Sequence, residues 1–495
     1  MEKINTDFVY PWVKKAFILA VIGMFFLLAL TIFFQSDLRG VESNVIYSIQ
    51  LALENNGSLY NSPEKPPFNI TQYAPLYYIL NDGLISLLSI ETDNFFLIRG
   101  ITRIVSVLLM LLSLFILIDT LQNVIGINRN SSLIISMTYS ILSFPWFNIS
   151  RPDVLILFFF ILSIRSILLF QKSKKSNTAF LLGVFMALGV LSKQTMGGYI
   201  ISFGLYMIIA KQWRLACFSA ISFVSTLVLM CGLIHILGYD LTYLYQNIVK
   251  GIDNGTSFFA AWKAYKNYFA YFGLFSLVFV LLSIISLKNW KHVKTNHNLL
   301  FLITISYTVA VFSFFSALKV GSAINYFNEL LLCLLIFMMS ILESYNILKK
   351  KLFLIGFMLF GISIAINHTF HYAAPLLLNL KSMNSNVKNE SDIPEIITFL
   401  ESNLGDSYFY SDDRTIAQSF PQRCVLFPTD IHNITYNRKV FDYSFFEEWA
   451  RENLIFIIVS RDRKKLYDID IKKYYSLKIK YQNYNLYQLT SYNKE

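Results

Sequence analysis

Charge is scarce in this sequence. Asp, Glu, Lys and Arg make up 15% of its 495 residues, where a soluble globular chain carries about 25%, and that shortage excludes an ordinary soluble domain. Cysteine is scarcer still, with four residues. Cys217, Cys231 and Cys333 lie in apolar runs, only Cys424 lies in a polar stretch, and no CxxC pair exists. A disulfide framework and a cysteine metal site are therefore not expected. Internal repeats are missing, which argues against the repeat-built secondary transporters. What fills the sequence instead is apolar: 55% of residues are hydrophobic, and Phe alone occurs 45 times. Apolar runs of about 20 residues, the length that crosses a bilayer core, recur along most of the chain. The expected class is a polytopic α-helical membrane protein.

The net charge of +11 would suggest nucleic acid in a soluble protein. Here most Lys residues fall in short loops between apolar runs, where they set topology, and no nucleic-acid partner is expected. Eleven spans are expected, at 16–34, 101–121, 132–149, 154–171, 178–192, 195–210, 213–237, 268–287, 299–318, 324–343 and 352–368. The first follows Lys14 and Lys15 without an A-x-A cleavage site, and reads as an uncleaved helix. The ambiguous stretch is YAPLYYILNDGLISLLSI, 73–90. The basic clusters KSKK (172–175), KQWR (211–214), KNWKHVK (288–294) and KKK (349–351) fall on one side, together with Lys14 and Lys15, only if 73–90 does not cross. It is then a surface or re-entrant helix within a first outer loop, 35–100. The positive-inside rule places the N-terminus in the cytoplasm and the C-terminal segment outside, and the Lys/Asn/Ile-rich composition suggests a bacterial chain, hence a plasma (inner) membrane.

Residues 372–495 contain no spanning run. SYFYS, CVLFP and LIFIIVS read as short buried strands, IPEIITFLES and YSFFEEWAREN as amphipathic helices, and YSLKIKYQNYNLYQL as a closing hairpin. The expected organisation is a membrane domain over 1–371, a linker over 372–390 and a small α/β extracytoplasmic domain over 391–495.

With that topology the polar clusters share the outer face: QSDLRGVES with Asp37, Arg39 and Glu42, then SRPD, SKQT and KVGSAINYFN. Acids alternate with bases, and aromatic residues lie beside them. Glycosyl transfer from a polyprenyl-phosphate sugar could use these parts. The donor phosphate needs a cation, the acceptor hydroxyl needs a carboxylate base, the sugar needs aromatic and polar side chains, and the lipid tail needs a groove between spans. Tyr73, Tyr77 and Tyr78 are candidates for lining such a pocket or for an interfacial aromatic belt. Asp153 also suits the N-cap of the helix that follows it, and Glu42 suits the positive end of a helix dipole. Glu329, one turn beyond Asn325, is costly in an apolar run unless paired or in a cavity.

The stretches SDLRGVESNVIYSIQLALENNGSLY, YAPLYYIL, RGITRIVSVLLMLL, RPDVLILFFFILSI, LGVLSKQT and GSAINYFNELLL carry a resemblance. Across residues 10–345 the chain resembles the GT-C superfamily of integral-membrane glycosyltransferases. It is most similar to glycosyltransferase family 39, which includes protein O-mannosyltransferases and the lipid A aminoarabinose transferase, and within it to bacterial polyprenyl-phosphate-dependent members. The resemblance implies inverting transfer at the outer face, with a first-loop acid as general base. The family carries that acid on a D-E or D-x-x-E pattern. Asp37 and Glu42 stand five apart here, so both remain eligible. It implies a second acid at Asp153. Arg103, Arg151 and Lys193 are the cations expected to hold donor phosphate, and Asn325 and Tyr326 belong to a further motif of the family. Lys65, before Pro66 and Pro67, is a weaker counterpart of a family lysine. The implied partners are a polyprenyl-phosphate-linked sugar, a glycan, lipid or protein acceptor, and membrane lipid. No cofactor or metal residue is assigned, and the chemistry admits a divalent ion without requiring one. A polysaccharide polymerase or ligase and a lipid-linked glycan transporter are the alternative classes.

Overall fold

The computed structural model describes residues 6–34, 41–54, 58–344, 350–384, 392–428, 430–467 and 469–490; Asp37 and Arg39 lie outside them. In chain order the helices are α1 (Thr6–Phe34), α2 (Val41–Glu54), α3 (Leu76–Leu87), α4 (Phe95–Asp119), α5 (Arg129–Phe147), α6 (Asp153–Ser173), α7 (Ser176–Ser192), α8 (Met196–Ile209), α9 (Trp213–Ile236), α10 (Phe258–Lys288), α11 (Trp290–Thr295), α12 (His297–Ser316), α13 (Asn328–Ser344) and α14 (Lys350–Asn384). A small α/β segment follows them. Among the described residues eight helices are long and apolar enough to cross a membrane, and the chain is a multi-pass membrane protein. The other three expected spans fall on α5, α7 and α8. At 1.5 Å per residue, α7 and α8 reach about 26 and 21 Å, short of a bilayer core of about 30 Å. The serines of α5 dilute its apolar character. Helix α3 has 12 residues, about 18 Å, too short to cross.

Two compact units form. The first comprises Met1–Gln35, Arg103–Cys231 and Gly255–Leu378; the second comprises Ser36–Thr102, Gly232–Asn254 and Asn379–Glu495. Division by sequence at 371 and 391 does not follow these units, and α14 runs on to Asn384 through the first part of the expected linker.

In the first unit α6 packs on α7, and α12 packs on both α8 and α13. Two glycines permit the close approaches. A Cβ on Gly183 would lie 1.9 Å from the Ser222 hydroxyl oxygen on α9, and one on Gly198 would lie 2.1 Å from the Phe312 ring on α12. Only a residue without a side chain fits at such distances.

The second unit is organised by a four-stranded sheet. Strands β1 (Tyr408–Ser411) and β2 (Leu454–Ser460) pair in parallel. After the short β3 (Lys465–Leu466) and β4 (Ile469–Asp470) come β5 (Tyr475–Lys480) and β6 (Tyr484–Leu489), giving the order β1-β2-β6-β5. The expected helices appear at Asp392–Asn403 and Ser444–Asn453. The expected strand at CVLFP is a correction. Leu426 adopts a left-handed φ of 53°, which ends an extended run. Only Cys424 bridges to Phe409, and the Leu426 N–H donates to the Pro67 carbonyl at 3.0 Å.

That last bond shows how the early loop joins this unit. Phe68 and Ile70 share a core with Tyr410, Val425 and Ile457, and Tyr47 and Leu51 share one with Phe409, Phe427 and Ile458. Tyr47 stacks on Phe427 at 4.3 Å, and its one hydroxyl proton is shared between the carbonyls of Pro421 and Cys424, 2.8 and 2.9 Å away. The 232–254 segment is tied in by Asn247, which accepts from the Thr71 N–H at 2.7 Å and donates to the Asn61 carbonyl at 2.9 Å. Tyr239 donates to Asp82 on α3. Burial raises the carboxyl of Asp82 above the ordinary carboxylate range, with the tyrosine bond opposing the shift.

His432 is buried in the same unit, and neither ring nitrogen has a hydrogen-bond partner. Burial disfavours its charged form and lowers its pKa to about 4. Between that value and the ordinary 6.5 the unfolded chain binds the extra proton. Stability is therefore present above pH 6.5 and falls on acidification, by about 1.4 kcal/mol per unit. His432→Leu should remove this acid-side loss, measured as a thermal midpoint that declines less between pH 7 and pH 5 than in the parent protein.

Candidate active site

The charged cluster of the first unit is built at breaks between helices. Pro152 precedes α6 and makes no side-chain cap, and the helix begins with Asp153 itself. The carboxylate therefore does not fill the N-cap role that suits its position in the sequence. Its Oδ1 accepts from Lys193 Nζ at 2.9 Å and from Asn325 Nδ2 at 2.8 Å, and its Oδ2 lies 3.2 Å from Arg151 Nε. Lys193 occupies the extended residue that ends α7. Asn325 sits in a 3₁₀ turn, Ile324–Phe327, immediately before α13. Three interhelical breaks thus deliver two cations and an amide to one carboxylate.

All four side chains are buried. The Lys193 ammonium sits 5.7 Å from the ring centre of Tyr326, and the Arg151 guanidinium 5.5 Å from that of Trp146, so each cation also has an aromatic face. Glu329, in the first turn of α13, is buried beside this group and accepts from the Tyr199 hydroxyl at 2.8 Å. Tyr199 in turn packs against Phe160 and Phe312. Burying charge is costly unless it is paired and hydrogen-bonded, and these contacts supply both. Arg151 and Lys193 bring two positive charges to the Asp153 carboxylate they share, with Glu329 as a second carboxyl beside them. Asp153 thus accepts two hydrogen bonds at Oδ1 and is ion-paired with Arg151 at Oδ2.

Arg103 is fully buried and donates to the carbonyls of Thr31 and Ile32 at 2.9 and 3.2 Å. These belong to the last turn of α1, where carbonyls lack intrahelical partners. In the second unit Glu42 is buried in the first turn of α2. Tyr73, Tyr77 and Tyr78 are buried there too, and Tyr77 donates to the Thr102 carbonyl at 3.4 Å. Lys65 is exposed. Trp146, Tyr199 and the pairing of Glu329 are additions of the structure. The acid in an apolar run was the one visible signal. Among the described residues no three His, Cys, Asp or Glu side chains gather as metal ligands would.

Residues 96–237 match the family model of dolichyl-phosphate-mannose-protein mannosyltransferases, a stretch that includes Arg103, Arg151, Asp153 and Lys193. Two solved structures share the fold over nearly the whole chain. ArnT from Cupriavidus metallidurans bound to undecaprenyl phosphate superposes with a TM-score of 0.62 at 9% identity, covering 97% of this chain and 98% of that one. The same protein in the apo state gives 0.58 at 10% identity, covering 96% and 97%. No curated protein matches by sequence.

Proposed function

We infer from the GT-C fold of this chain that it is a membrane glycosyltransferase, one that draws its sugar from a polyprenyl-phosphate donor and transfers it to an acceptor hydroxyl on the outer face of a bacterial plasma membrane. The observation that carries the reading is the pair of buried cations, Arg151 and Lys193, sharing the single carboxylate of Asp153. A phosphate brought to this cluster exchanges its hydration for charge-assisted hydrogen bonds. The bound undecaprenyl phosphate of the ArnT structure supports a lipid-linked donor.

In the proposed reaction the acceptor oxygen gives its proton to a carboxylate and attacks the anomeric carbon from the face opposite the phosphate. The bond from that carbon to the phosphate oxygen breaks, the configuration inverts, and polyprenyl phosphate departs with the bonding pair. Charge grows on the leaving oxygen, where fixed cations lower the barrier most. Asp153 is the positioning residue for these cations. The base is then a first-loop acid, Asp37 or Glu42, which contributes typically 10²–10⁴-fold. Tyr326, against Lys193, and Asn325, bonded to Asp153, complete the phosphate end of the site.

The base assignment has a direct test in purified protein with a polyprenyl-phosphate sugar. Asp37→Asn or Glu42→Gln should lower kcat by at least about a hundredfold, with the variant still present in the membrane at parental abundance. Full activity in both variants rejects a first-loop base.

A further inference from the structure

A polar cleft opens at the other end of the helices that carry the Asp153 cluster. Asp153 is the first residue of α6 and Lys172 lies in its last turn, so about 30 Å of helix separates them. Helix α12 likewise starts at His297 and ends at Ser316, before the turn that holds Asn325. The cleft has a volume of about 500 Å³, and its lining includes Gln171, Lys172, His292, Asn296, His297 and Val124. It therefore lies at the membrane face opposite the Asp153 cluster.

No carboxylate lines it. Lys172, His292 and His297 are its basic lining residues, and the sequences around them, 172–175 and 288–298, contain six Lys and no Asp or Glu. The carboxylate on the adjoining helix, Asp119, is paired with Arg165. Lys172 donates to the Asn123 carbonyl at 3.3 Å, which holds its ammonium at the wall. The N-terminus of α12, the positive end of its dipole, opens here with Asn296 as its cap. Trp290 is exposed beside the cleft, as is common for tryptophan at a bilayer interface.

Scattered loop lysines satisfy the positive-inside rule without forming anything. Here Lys172, His292, His297 and the N-terminus of α12 face one concavity at the ends of the spanning helices, the arrangement of a basic pocket for anionic lipid. We propose that this cleft binds the phosphate headgroup of an anionic phospholipid of the membrane, on the face away from the transfer site.

The test uses the full chain reconstituted in vesicles of phosphatidylcholine with a minor share of phosphatidylglycerol. The protein is extracted in mild detergent and the retained lipids are counted by native mass spectrometry. The parent should retain phosphatidylglycerol at least about fivefold above its share in the vesicle, the equivalent of about 1 kcal/mol per cation at the surface. The triple variant Lys172→Gln/His292→Gln/His297→Gln should fall to the bulk ratio. Lys172→Gln alone, a single exposed change, should show a partial fall even if the triple variant is poorly folded. Lys211→Gln, in another basic loop, should keep the parental ratio, and sugar transfer should be unchanged in all three. Parental enrichment persisting in the triple and single variants overturns the proposal, as does the absence of enrichment in the parent. Displacement of the lipid by inorganic phosphate at equal concentration overturns the lipid assignment in favour of a free-phosphate site.

Discussion

Asp153→Ala should abolish sugar transfer and weaken the fold together. The substitution leaves Arg151 and Lys193 buried without the carboxylate that lies 3.2 and 2.9 Å from them, and removes the acceptor of the Asn325 amide. Breaking a buried ion pair from one side costs about 3–5 kcal/mol, and here one change strands two cations. A thermal midpoint several degrees lower in detergent is expected, with transfer reduced by at least about a thousandfold. Asp153→Asn separates the two effects. It keeps the volume and one acceptor oxygen, so the protein should remain folded. The cations then repel one another across a neutral amide, and transfer should still fall by at least about a hundredfold. Wild-type turnover in Asp153→Asn would show that this cluster only holds helices together.

Lys193→Met should act differently. Asp153 retains Arg151 and Asn325, so the fold loses less, while the site loses half its positive charge. The expected signature is a fall in kcat/KM for the donor of about a hundredfold, with the KM for the acceptor unchanged. Kinetic titration of each substrate separately reads the difference. An equal change in both substrates would point to general damage. Lys193→Arg should rescue part of the loss, since it restores charge but not the position of the ammonium over Tyr326.

Much of this was legible in the sequence, for a physical reason. Apolar runs and basic loops are one-dimensional signals, and they lead to helices at each expected span and to the short α3. The motifs RPD, SKQT and GSAINY each reveal a charged or polar group at the end of an apolar run. Their convergence is not written locally. Lys193 and Asn325 lie 40 and 172 positions from Asp153, and only the packing of α6, α7 and the turn before α13 brings them to one atom. The capping role suggested for Asp153 follows local propensity, which yields where tertiary partners compete for the same oxygens.

The second unit shows the same limit. SYFYS and LIFIIVS form strands because both their faces are buried among apolar neighbours. CVLFP has similar composition, yet its Leu426 N–H goes to Pro67. That partner lies more than 350 residues earlier in the chain. Tyr47 reaches Pro421 across 374 positions, so a loop that reads as an insertion between spans shares a core with the C-terminal strands. Arg103, a cation at the start of an apolar run and a candidate phosphate ligand, also donates to the carbonyls of Thr31 and Ile32 at the end of α1.

The central claim, that Arg151 and Lys193 receive the donor phosphate, is tested most directly by equilibrium binding of undecaprenyl phosphate to the purified protein and to Arg151→Met/Lys193→Met. Binding to the parent is expected, with a dissociation constant at least about a hundredfold weaker in the double variant, the loss of about 2.7 kcal/mol of charge-assisted contact. Equal affinity in a folded double variant would contradict it.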